Sequence, residues 1–277
     1  MKACLDSLLK QKNADYEIII VDNASTDNTF EVLQPYEDKI TLIKNKENVG
    51  FGKANNIGAK IAKGDFLFLL NQDTEFTSDY DLKKITDFVK ANKHYGLVST
   101  KITEIKTKRE TKPRETYPGE KIILHPLRGL PGTIAWVLGA VMILPKEVYA
   151  KIHGFDEDFF LYGEDIDICL RVRKAGYEIG YLPEVEILHF GGCTEIKKGQ
   201  YSKSYRKQKA LYQFYQKHYE QKDCERLYRY ELRRGLFRAL IHKLRCFFGS
   251  KRSCGKYERY RAIVESSRDA INHVSTK

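Results

Sequence analysis

The sequence predicts an α/β fold in which a mixed, mostly parallel sheet is flanked by helices and followed by a basic helical tail. Short β-branched or apolar runs alternate with segments of helical periodicity over the first part of the chain, which is typical of α/β sheets. The run Asp65–Leu70 is almost continuously apolar, as expected for a strand covered on both faces. From about Ser202 onward the pattern is helical, basic and aromatic. We therefore predict two domains, at residues 1–200 and 201–277.

The charge of the chain is unevenly distributed. Of its 277 residues 42% are hydrophobic, which suffices for a sizeable core, and the formal net charge is +11. Residues 201–277 contain 20 Lys and Arg against 7 Asp and Glu, whereas residues 1–200 contain 28 against 30. A near-neutral domain followed by a basic tail predicts that the tail contacts something anionic.

The cysteines and the hydropathy indicate the compartment. Six cysteines are scattered without a CxxC pair, which argues against a zinc knuckle or a disulfide framework and favours reduced thiols. No apolar run approaches the roughly 18 residues of a membrane-spanning helix. We expect a cytoplasmic protein that lies peripherally on the inner face of the cell membrane. The cysteines are Cys4, Cys169, Cys193, Cys224, Cys246 and Cys254.

Strands and helices alternate regularly up to residue 101. β-Branched or apolar runs predict strands at Tyr16–Val21, Ile40–Lys44, Asp65–Leu70 and Gly96–Lys101. Apolar residues at helical spacing, entered from polar or glycine-containing turns, predict helices at Thr26–Tyr36, Gly52–Ala62 and Asp81–Ala91. Ligands of such sheets lie beyond the carboxyl ends of the strands. Asp22 and Asp73 both follow strand ends, which is the first indication of a site.

The second part of the domain is less regular. Residues 102–133 are rich in Lys, Arg, Thr and Pro and predict a mobile excursion or lid. Beyond them, apolar runs predict strands at Trp136–Leu144, Tyr177–Leu182 and Val185–His189. Helical periodicity predicts helices at Lys146–His153 and at Glu164–Lys174, the second of which stops at Gly176.

The two strand-end aspartates suit different tasks. Asp22 can accept hydrogen bonds from a ribose or a base edge, and Asp27 can do the same or cap the following helix. Asn71-Gln72-Asp73 places one carboxylate next to a polar pair. Such a carboxylate suits a divalent cation that bridges a diphosphate, because phosphates and waters fill the remaining octahedral positions.

The densest group of carboxylates lies at residues 156–167. Six Asp and Glu fall within twelve residues and are interleaved with Phe-Phe-Leu-Tyr, which predicts a partly dry cleft where carboxylate pKa values shift. The alternative is a loop leading into a helix whose macrodipole favours acidic residues at its N-terminus. Glu164 and Asp165 point about 100° apart on a helix, so at most one faces the cleft squarely. Asp165, flanked by the apolar Tyr162 and Ile166, is the better candidate for a general base.

Two further residues allow more than one interpretation. His189, which follows a predicted strand and precedes Gly191-Gly192, is either a metal ligand or a core histidine with a satisfied ring. Asp167 is spaced i,i+4 from Arg171, so we expect the two to pair.

Five ordered strings carry a resemblance to a known family. They are IIVDNASTDNT (19–29), NVGFGKANNIGA (48–59), FLLNQDTEF (68–76), GAVMILPKEVYAKIHGFDEDFFLYGEDIDICLRVRKAGY (139–177) and HFGG (189–192). In this order they resemble the family-2 glycosyltransferases, and within them the rhamnosyltransferase-like branch. The match extends over roughly residues 3–195 and is specific because five motifs occur in sequence.

The resemblance implies a GT-A fold, in which an α/β nucleotide-binding half is joined to an acceptor-binding half. It implies that Asp22 contacts the donor nucleoside and that Asp165 is the general base. It also implies that Asp73 binds Mg²⁺ or Mn²⁺ with the help of His189. The other donor-side residues are Asn23, Asn48, Gly50, Asn55 and Asn71. The residues implied on the acceptor side are Trp136, Gly139, Asp156 and Glu164.

The implied reaction is an inverting, metal-dependent transfer in cell-surface polysaccharide synthesis. A rhamnose-like or other hexose would move from a dTDP- or UDP-sugar to a saccharide or lipid-linked acceptor. One base on the acceptor side and one cation at the departing diphosphate suffice, and no covalent nucleophile is required. The non-enzyme alternative is a nucleic-acid-binding protein that uses the basic tail. It leaves the acidic segment and Asp73 unexplained, so we expect no nucleic acid.

Two departures from the family pattern bear on activity. The first carboxylate of the metal signature is replaced by Asn71. The first hydrophobic strand of the family, which would precede the helix beginning at Lys2, is missing, so we expect a gap in the sheet with unpaired backbone. Either the start lies upstream, or the chain is an N-terminally truncated, catalytically inactive remnant.

The basic tail contains an amphipathic segment at residues 235–248. Its apolar residues stand at positions 236, 237, 240, 241, 244, 247 and 248, opposite Arg238, His242, Lys243 and Arg245. A basic amphipathic helix can lie in an anionic membrane interface, where a lipid-linked acceptor would be. The alternative is that this face packs on the preceding domain.

Overall fold

A computed structural model describes residues 1–123, 127, 129–191 and 199–275. Its strands are β1 (Ile19–Asp22), β2 (Thr41–Lys44), β3 (Phe66–Leu70), β4 (Thr74–Phe76), β5 (Tyr95–Glu104), β6 (Arg109–Thr111), β7 (Val141–Pro145) and β8 (Glu178–His189). Its helices are α1 (Lys2–Leu9), α2 (Thr29–Leu33), α3 (Phe51–Ile61), α4 (Asp81–Ala91), α5 (Lys146–Lys151), α6 (Glu164–Lys174), α7 (Gln200–His218), α8 (Gln221–Phe247) and α9 (Lys251–Ser275).

The chain forms two compact units. The first comprises Met1–Tyr117, Gly129–Phe160 and Glu164–Cys193, and the second comprises Pro118–Arg128, Leu161–Gly163 and Thr194–Lys277. All eight strands belong to the first unit, and α7, α8 and α9 belong to the second. The domain boundary at residue 200 stays a prediction.

The sheet of the first unit is mixed, as the sequence predicts. Its strand order is β3-β7-β5-β8-β4, with β6 added on β5. Among the described strands, only β1 with β2 and β5 with β8 pair in parallel, whereas β3–β7, β5–β7, β4–β8 and β5–β6 are antiparallel. The prediction of a mostly parallel sheet is therefore wrong. The reason is that β7 inserts between β3 and β5 in the opposite direction, which the regular alternation of the first hundred residues does not reveal.

Strands β1 and β3 belong to different sheets. In the part of the chain that the structure describes, β1 pairs with β2 in a sheet of their own, and β3 pairs with β7 in the larger sheet.

Helices cover the larger sheet on both faces. One core cluster joins α1 and α4 to residues such as Val141 and Ile143 of β7, and the other joins α5 and α6 to Met142 and Leu144 of the same strand. All four residues have no exposed surface. Successive side chains of β7 point to opposite faces of the sheet, because the side-chain period of a strand is two residues. β7 is therefore a central strand that is buried on both sides.

Three predicted elements differ from those observed. The two strands expected between Tyr177 and His189 are one strand, in which the register with β5 shifts between Thr100 and Lys101. Pro183 falls in this irregularity, where its missing N–H costs no ladder bond. The segment predicted as a lid contains β6, although residues 124–126 and 128 lie outside the described part. The first predicted helix is shorter, since a 3₁₀ helix at Gln34–Lys39 replaces its end.

The second unit is helical and has an aromatic core. Tyr228 and Phe214 are fully buried, and the Tyr212 ring meets Tyr228 edge-on at a centroid distance of 4.6 Å. Helices α8 and α9 are linked by a disulfide between Cys246 and Cys254. The expectation of six reduced thiols is wrong for this pair, because the turn between the two helices brings together cysteines that show no CxxC spacing. Cys4, Cys169 and Cys224 are free and buried, and Cys193 lies outside the described residues. None of the described helices is both long and apolar enough for a transmembrane span.

Candidate active site

The loops after β1 and β2 are held together by side-chain amides. Asp22 ends β1 and is buried, and its Oδ2 accepts a hydrogen bond from the Ser25 N–H at 3.2 Å. Asn23 donates through Nδ2 to the Gly50 carbonyl at 3.0 Å and accepts at Oδ1 from Asn45 Nδ2 at 2.9 Å. These bonds fix the carboxyl end of β1 against the loop that enters α3, so the predicted donor residues Asp22, Asn23 and Gly50 do come together.

Gly50 joins this loop to the acidic segment. Its φ of 89° is in the left-handed region, and Asn48 Oδ1 accepts its N–H at 3.0 Å. A Cβ added at Gly50 would lie 2.5 Å from the Phe160 carbonyl oxygen, and the next residue, Phe51, donates its N–H to that same oxygen at 3.0 Å. Only glycine satisfies both the dihedral and the close approach. The predicted donor loop therefore lies against the segment predicted to face the acceptor.

Asp73 and His189 form a pair at one end of the larger sheet. The antiparallel pairing of β4 with β8 sets Thr74 opposite His189, and the Phe190 N–H donates to the Asp73 carbonyl at 2.9 Å. His189 Nε2 lies 3.3 Å from Asp73 Oδ1, and both side chains are largely buried. Burial alone would raise the pKa of Asp73, but the hydrogen bond to His189 and its charge outweigh it and lower the pKa below the ordinary value. The carboxylate therefore stays ionised at neutral pH.

This pair fits a divalent cation that a diphosphate shares. Carboxylate oxygen and imidazole nitrogen are both metal ligands, and two protein ligands leave positions for phosphate oxygens and water. The described residues contain no group of three or more His, Cys, Asp or Glu that could hold a metal by themselves.

Asp165 lies at the start of α6 against the backbone of Gly139. Its Oδ2 accepts the Gly139 N–H at 3.4 Å, and its Oδ1 accepts the Ile166 N–H at 2.9 Å. A Cβ at Gly139 would lie 3.2 Å from Asp165 Cβ and 3.9 Å from the Phe51 ring. The absence of a side chain at residue 139 thus allows the carboxylate to approach the strand, and the half-buried position of Asp165 leaves it accessible to a ligand.

A backbone hydrogen bond links the residues beside Asp165 to the residues just before Asp73. Ala140, the residue after Gly139, accepts the Asn71 N–H at 3.0 Å. Asn71 is therefore in place at the end of β3, two residues before Asp73. Gly139, on which the predicted base lies, precedes β7, and the predicted metal ligands lie just before β4 and at the end of β8, at the same end of the sheet, with β5 between β7 and β8.

Asp167 pairs with Arg171, as predicted. Arg171 Nε lies 2.7 Å from Asp167 Oδ2, and Nη1 of the same side chain donates to the carbonyls of Ile152 and Gly154 at 2.6 and 2.7 Å. Asp167 is fully buried. The pair thus holds the turn that leads into the acidic segment rather than facing a ligand.

Glu164 is more deeply buried than its neighbour Asp165. It is 7% exposed, and among the described residues its Oε2 has no hydrogen-bond partner. Burial, followed by the charge of Asp165, raises the pKa of Glu164 to about 8. Glu164 is consequently protonated at neutral pH and carries no charge beside Asp165.

Glu164 should make stability fall as the pH rises. Its folded pKa lies above the unfolded value of 4.5, so its contribution is complete below pH 4.5 and is lost as the pH approaches about 8. In the wild type we expect the free energy of unfolding to fall by on the order of 3 kcal/mol between pH 5 and pH 8 because of Glu164. Glu164→Gln should not show this fall, because glutamine does not titrate. Urea unfolding of both proteins at the two pH values measures this, and identical pH profiles would contradict it. Glu157→Gln, at a half-exposed site of the same segment, is the control.

The structure adds Asn56, which the sequence analysis did not identify. Its Oδ1 accepts the Tyr149 hydroxyl at 2.6 Å and the Phe155 N–H at 2.9 Å, and its Nδ2 donates to the Phe155 carbonyl at 2.9 Å. Nδ2 also lies 3.1 Å from Glu157 Oε1. The amide therefore ties α3 to the start of the acidic segment. The only signal in the sequence is a polar residue on the buried face of α3.

The remaining predicted residues have local partners. Asn55 Nδ2 donates to the Phe51 carbonyl of its own helix at 2.9 Å, and Asp156 Oδ1 accepts the Asp158 N–H at 3.0 Å. Trp136 Nε1 donates to the Thr116 carbonyl at 3.2 Å. Their assignment to donor and acceptor sides stays a prediction.

Comparison with known proteins identifies the family. A model described as Glycosyl transferase family 2 matches residues 1–167, which is more than half of the chain. The chain belongs to glycosyltransferase family 2. The Rhamnosyltransferase WbbL of Escherichia coli K12 is 25% identical over 225 residues, covering 73% of this chain and 83% of that protein. The N-acetylglucosaminyl-diphospho-decaprenol L-rhamnosyltransferase of Mycobacterium tuberculosis is 22% identical, covering 67% and 70%. The resemblance to the rhamnosyltransferase-like branch is confirmed.

Solved structures show that this glycosyltransferase has the fold implied by its sequence. The mannosyltransferase PcManGT from Pyrobaculum calidifontis, in complex with GDP-Man and Mn²⁺, matches 98% of this chain and 70% of its own, with a TM-score of 0.55 and 17% identity. Residues 1–349 of TarS from S. aureus, in complex with UDP, match 99% and 87%, with a TM-score of 0.52 and 15% identity. The GT-A fold is confirmed.

Proposed function

We propose that this glycosyltransferase moves a hexose, with inversion, from a nucleoside-diphosphate sugar to a hydroxyl of a saccharide or lipid-linked acceptor in cell-surface polysaccharide synthesis. One observation carries the proposal. Asp165 lies on Gly139, one residue from the Ala140–Asn71 bond at the end of β3, and the Asp73–His189 pair lies at the same end of the sheet. A base and a diphosphate-binding site at one end of the same sheet are the two parts that a direct displacement requires.

The residues divide the reaction between them. Asp165 accepts the proton of the acceptor hydroxyl as the hydroxyl oxygen bonds to the anomeric carbon. The bond from that carbon to the diphosphate breaks, and the nucleoside diphosphate leaves with the electron pair. Because attack and departure take place on opposite faces, the anomeric configuration inverts without a covalent intermediate. Glu164, being protonated, adds no competing charge beside the base.

The donor binds beside the loops after β1 and β2, which side-chain amides hold together. Asp22 receives the ribose or base, and the backbone around Asn48 and Gly50 closes on the nucleotide. The rhamnosyltransferase names of the similar proteins from E. coli and M. tuberculosis support a dTDP-linked deoxyhexose as the first donor to test, with UDP-sugars as the second.

The metal is Mn²⁺ or Mg²⁺, held by Asp73 and His189. When bound, such an ion neutralises the charge that develops on the departing diphosphate. The pair fits this role because its carboxylate is ionised and its imidazole lies 3.3 Å away. The Mn²⁺ in the PcManGT complex supports the choice of ion. We place the reaction in the cytoplasm, where nucleotide sugars would be the donors.

The metal site can be tested separately from catalysis. We expect dTDP or UDP to raise the melting temperature more with Mn²⁺ than without it, because a ligand that binds only the folded state stabilises it. Asp73→Asn should lose the Mn²⁺-dependent part of this shift and reduce transfer by about 100-fold or more. Asp65→Asn, an exposed aspartate just before the opposite end of β3, is the matched control.

The outcomes of this test distinguish the alternatives. An unchanged Mn²⁺-dependent shift in Asp73→Asn would exclude the pair as the metal site. Nucleotide binding without any sugar transfer by the unmodified chain, across both donor classes, would favour the inactive remnant.

A further inference from the structure

Helix α8 exposes an apolar surface that the fold of the second unit leaves uncovered. Its exposed side chains, with the exposed fraction of each, are Leu236 (44%), Phe237 (65%), Leu240 (59%), Leu244 (53%), Phe247 (85%) and Phe248 (82%). At about 100° per residue these six fall within roughly a third of the helix circumference. They form one stripe, here called the α8 stripe.

The opposite face of α8 is already used for packing. A Cβ at Gly235 would lie 3.0 Å from Val264 of α9, and the rings of His242 and Tyr260 stack at a centroid distance of 5.6 Å. The α8 stripe is therefore a second apolar face and does not contribute to the α8–α9 core.

The surroundings of the α8 stripe are uniformly basic. Residues 232–257 contain eight Lys and Arg and no Asp or Glu. Arg238, Lys243 and Arg245 are exposed and flank the stripe on both sides of the helix, and Lys251 and Arg252 are exposed in the first turn of α9. Burial and, after it, the charges of Lys256, Arg245 and Arg238 lower the pKa of His242, which agrees with a concentrated positive field.

The most exposed residues lie at the tip of the α8–α9 pair. The rings of Phe247 and Phe248 meet edge-on at a centroid distance of 5.5 Å. They fall within the loop that the Cys246–Cys254 disulfide closes, so the bond restrains the segment that presents them. Two exposed phenylalanines on a restrained basic turn match what a membrane interface accepts, namely aromatic and aliphatic groups below and cations at the headgroups.

We propose that the α8 stripe docks this protein on an anionic lipid bilayer, with the stripe in the interface and the flanking Lys and Arg on the headgroup phosphates. The choice of a bilayer follows from charge complementarity. A second copy would bring two such basic surfaces together, whereas an anionic membrane is opposite in charge and apolar beneath. The inference goes beyond the proposed reaction and does not depend on it.

Vesicle flotation of the full chain tests the proposal without any substrate. The wild type should float with vesicles of phosphatidylcholine containing about a quarter phosphatidylglycerol, and at least about tenfold less with phosphatidylcholine alone. Leu240→Glu with Phe247→Glu should weaken binding to the anionic vesicles at least about tenfold, because charges replace two exposed apolar groups that would enter the bilayer interface. Ile61→Glu, at an exposed apolar residue of α3, is the control and should bind like the wild type.

A second pair of variants tests the charge. Lys243→Glu with Arg245→Glu should lose at least about tenfold in binding, whereas Lys90→Glu with Lys93→Glu, at exposed lysines elsewhere, should not. Circular dichroism of each variant confirms that it is folded. Equal binding of wild type and stripe variant would overturn the proposal. The proposal would also be overturned if the wild type did not bind the vesicles and instead formed stripe-dependent dimers in sedimentation, or bound DNA or RNA in a salt-sensitive manner.

Discussion

Replacing Asp165 by asparagine should lower the turnover number of sugar transfer about 1,000-fold while leaving donor affinity nearly unchanged. Asparagine keeps the shape of the side chain and can still accept the Gly139 N–H, so the start of α6 should remain in place. It cannot take up a proton from the acceptor. Transfer assays under saturating donor, with nucleotide affinity measured by calorimetry, separate the two effects.

The control for Asp165 lies in the same segment. Asp158 is exposed and lies before α6, so Asp158→Asn should keep turnover within about twofold of the wild type. A turnover above about a tenth of wild type in Asp165→Asn would be too high for loss of a general base. In that case Asp165 would be a positioning residue for the backbone at Gly139.

Replacing Asn56 by alanine should lower the free energy of unfolding by about 3 kcal/mol. The change removes the partners of the Phe155 N–H and carbonyl and of the buried Tyr149 hydroxyl. Each buried group left without a partner costs about 1–3 kcal/mol, and part of this is recovered where water enters. Denaturant unfolding at constant pH measures the difference.

Asn55 offers a matched comparison one residue away. Its amide bonds to a carbonyl of its own helix and is partly exposed, so Asn55→Ala should cost less than about 1 kcal/mol. Similar losses for both variants would show that Asn56 contributes no more than an ordinary helix position. A large loss for Asn56→Ala together with weaker acceptor binding would show that the amide also positions the acidic segment.

Local signals predicted the elements best where pattern and caps agree. The helices Asp81–Ala91 and Glu164–Lys174 are observed with the predicted bounds. The sequence predicts two strands on either side of Pro183, and only the pairing with β5 shows that one strand continues through it with a register shift. The direction of β7 is a property of the sheet and is not encoded in the apolar run itself.

For the site, too, local sequence signals identify single residues but not partners that are distant along the chain. Asp73 and His189 could be named from strand ends, and their pairing follows from the β4–β8 register. Asn56 could not be named, because its partners lie about a hundred residues away along the chain and nothing local distinguishes it from Asn55. The Cys246–Cys254 disulfide depends on the sharp turn between two helices, which spacing rules for zinc or redox motifs do not address.

The contact between Gly50 and Phe160 limits which substitutions the proposed donor loop can accept. A Cβ at residue 50 would lie 2.5 Å from the carbonyl oxygen of Phe160 and 3.0 Å from both its Cα and its ring carbon Cδ2. Trimming the Phe160 side chain would remove only the ring contact, since the backbone oxygen remains whatever residue stands there. Mutant libraries aimed at new nucleotide sugars should therefore keep glycine at residue 50, and also keep Asn23 and Asn48, whose side chains bond to its backbone.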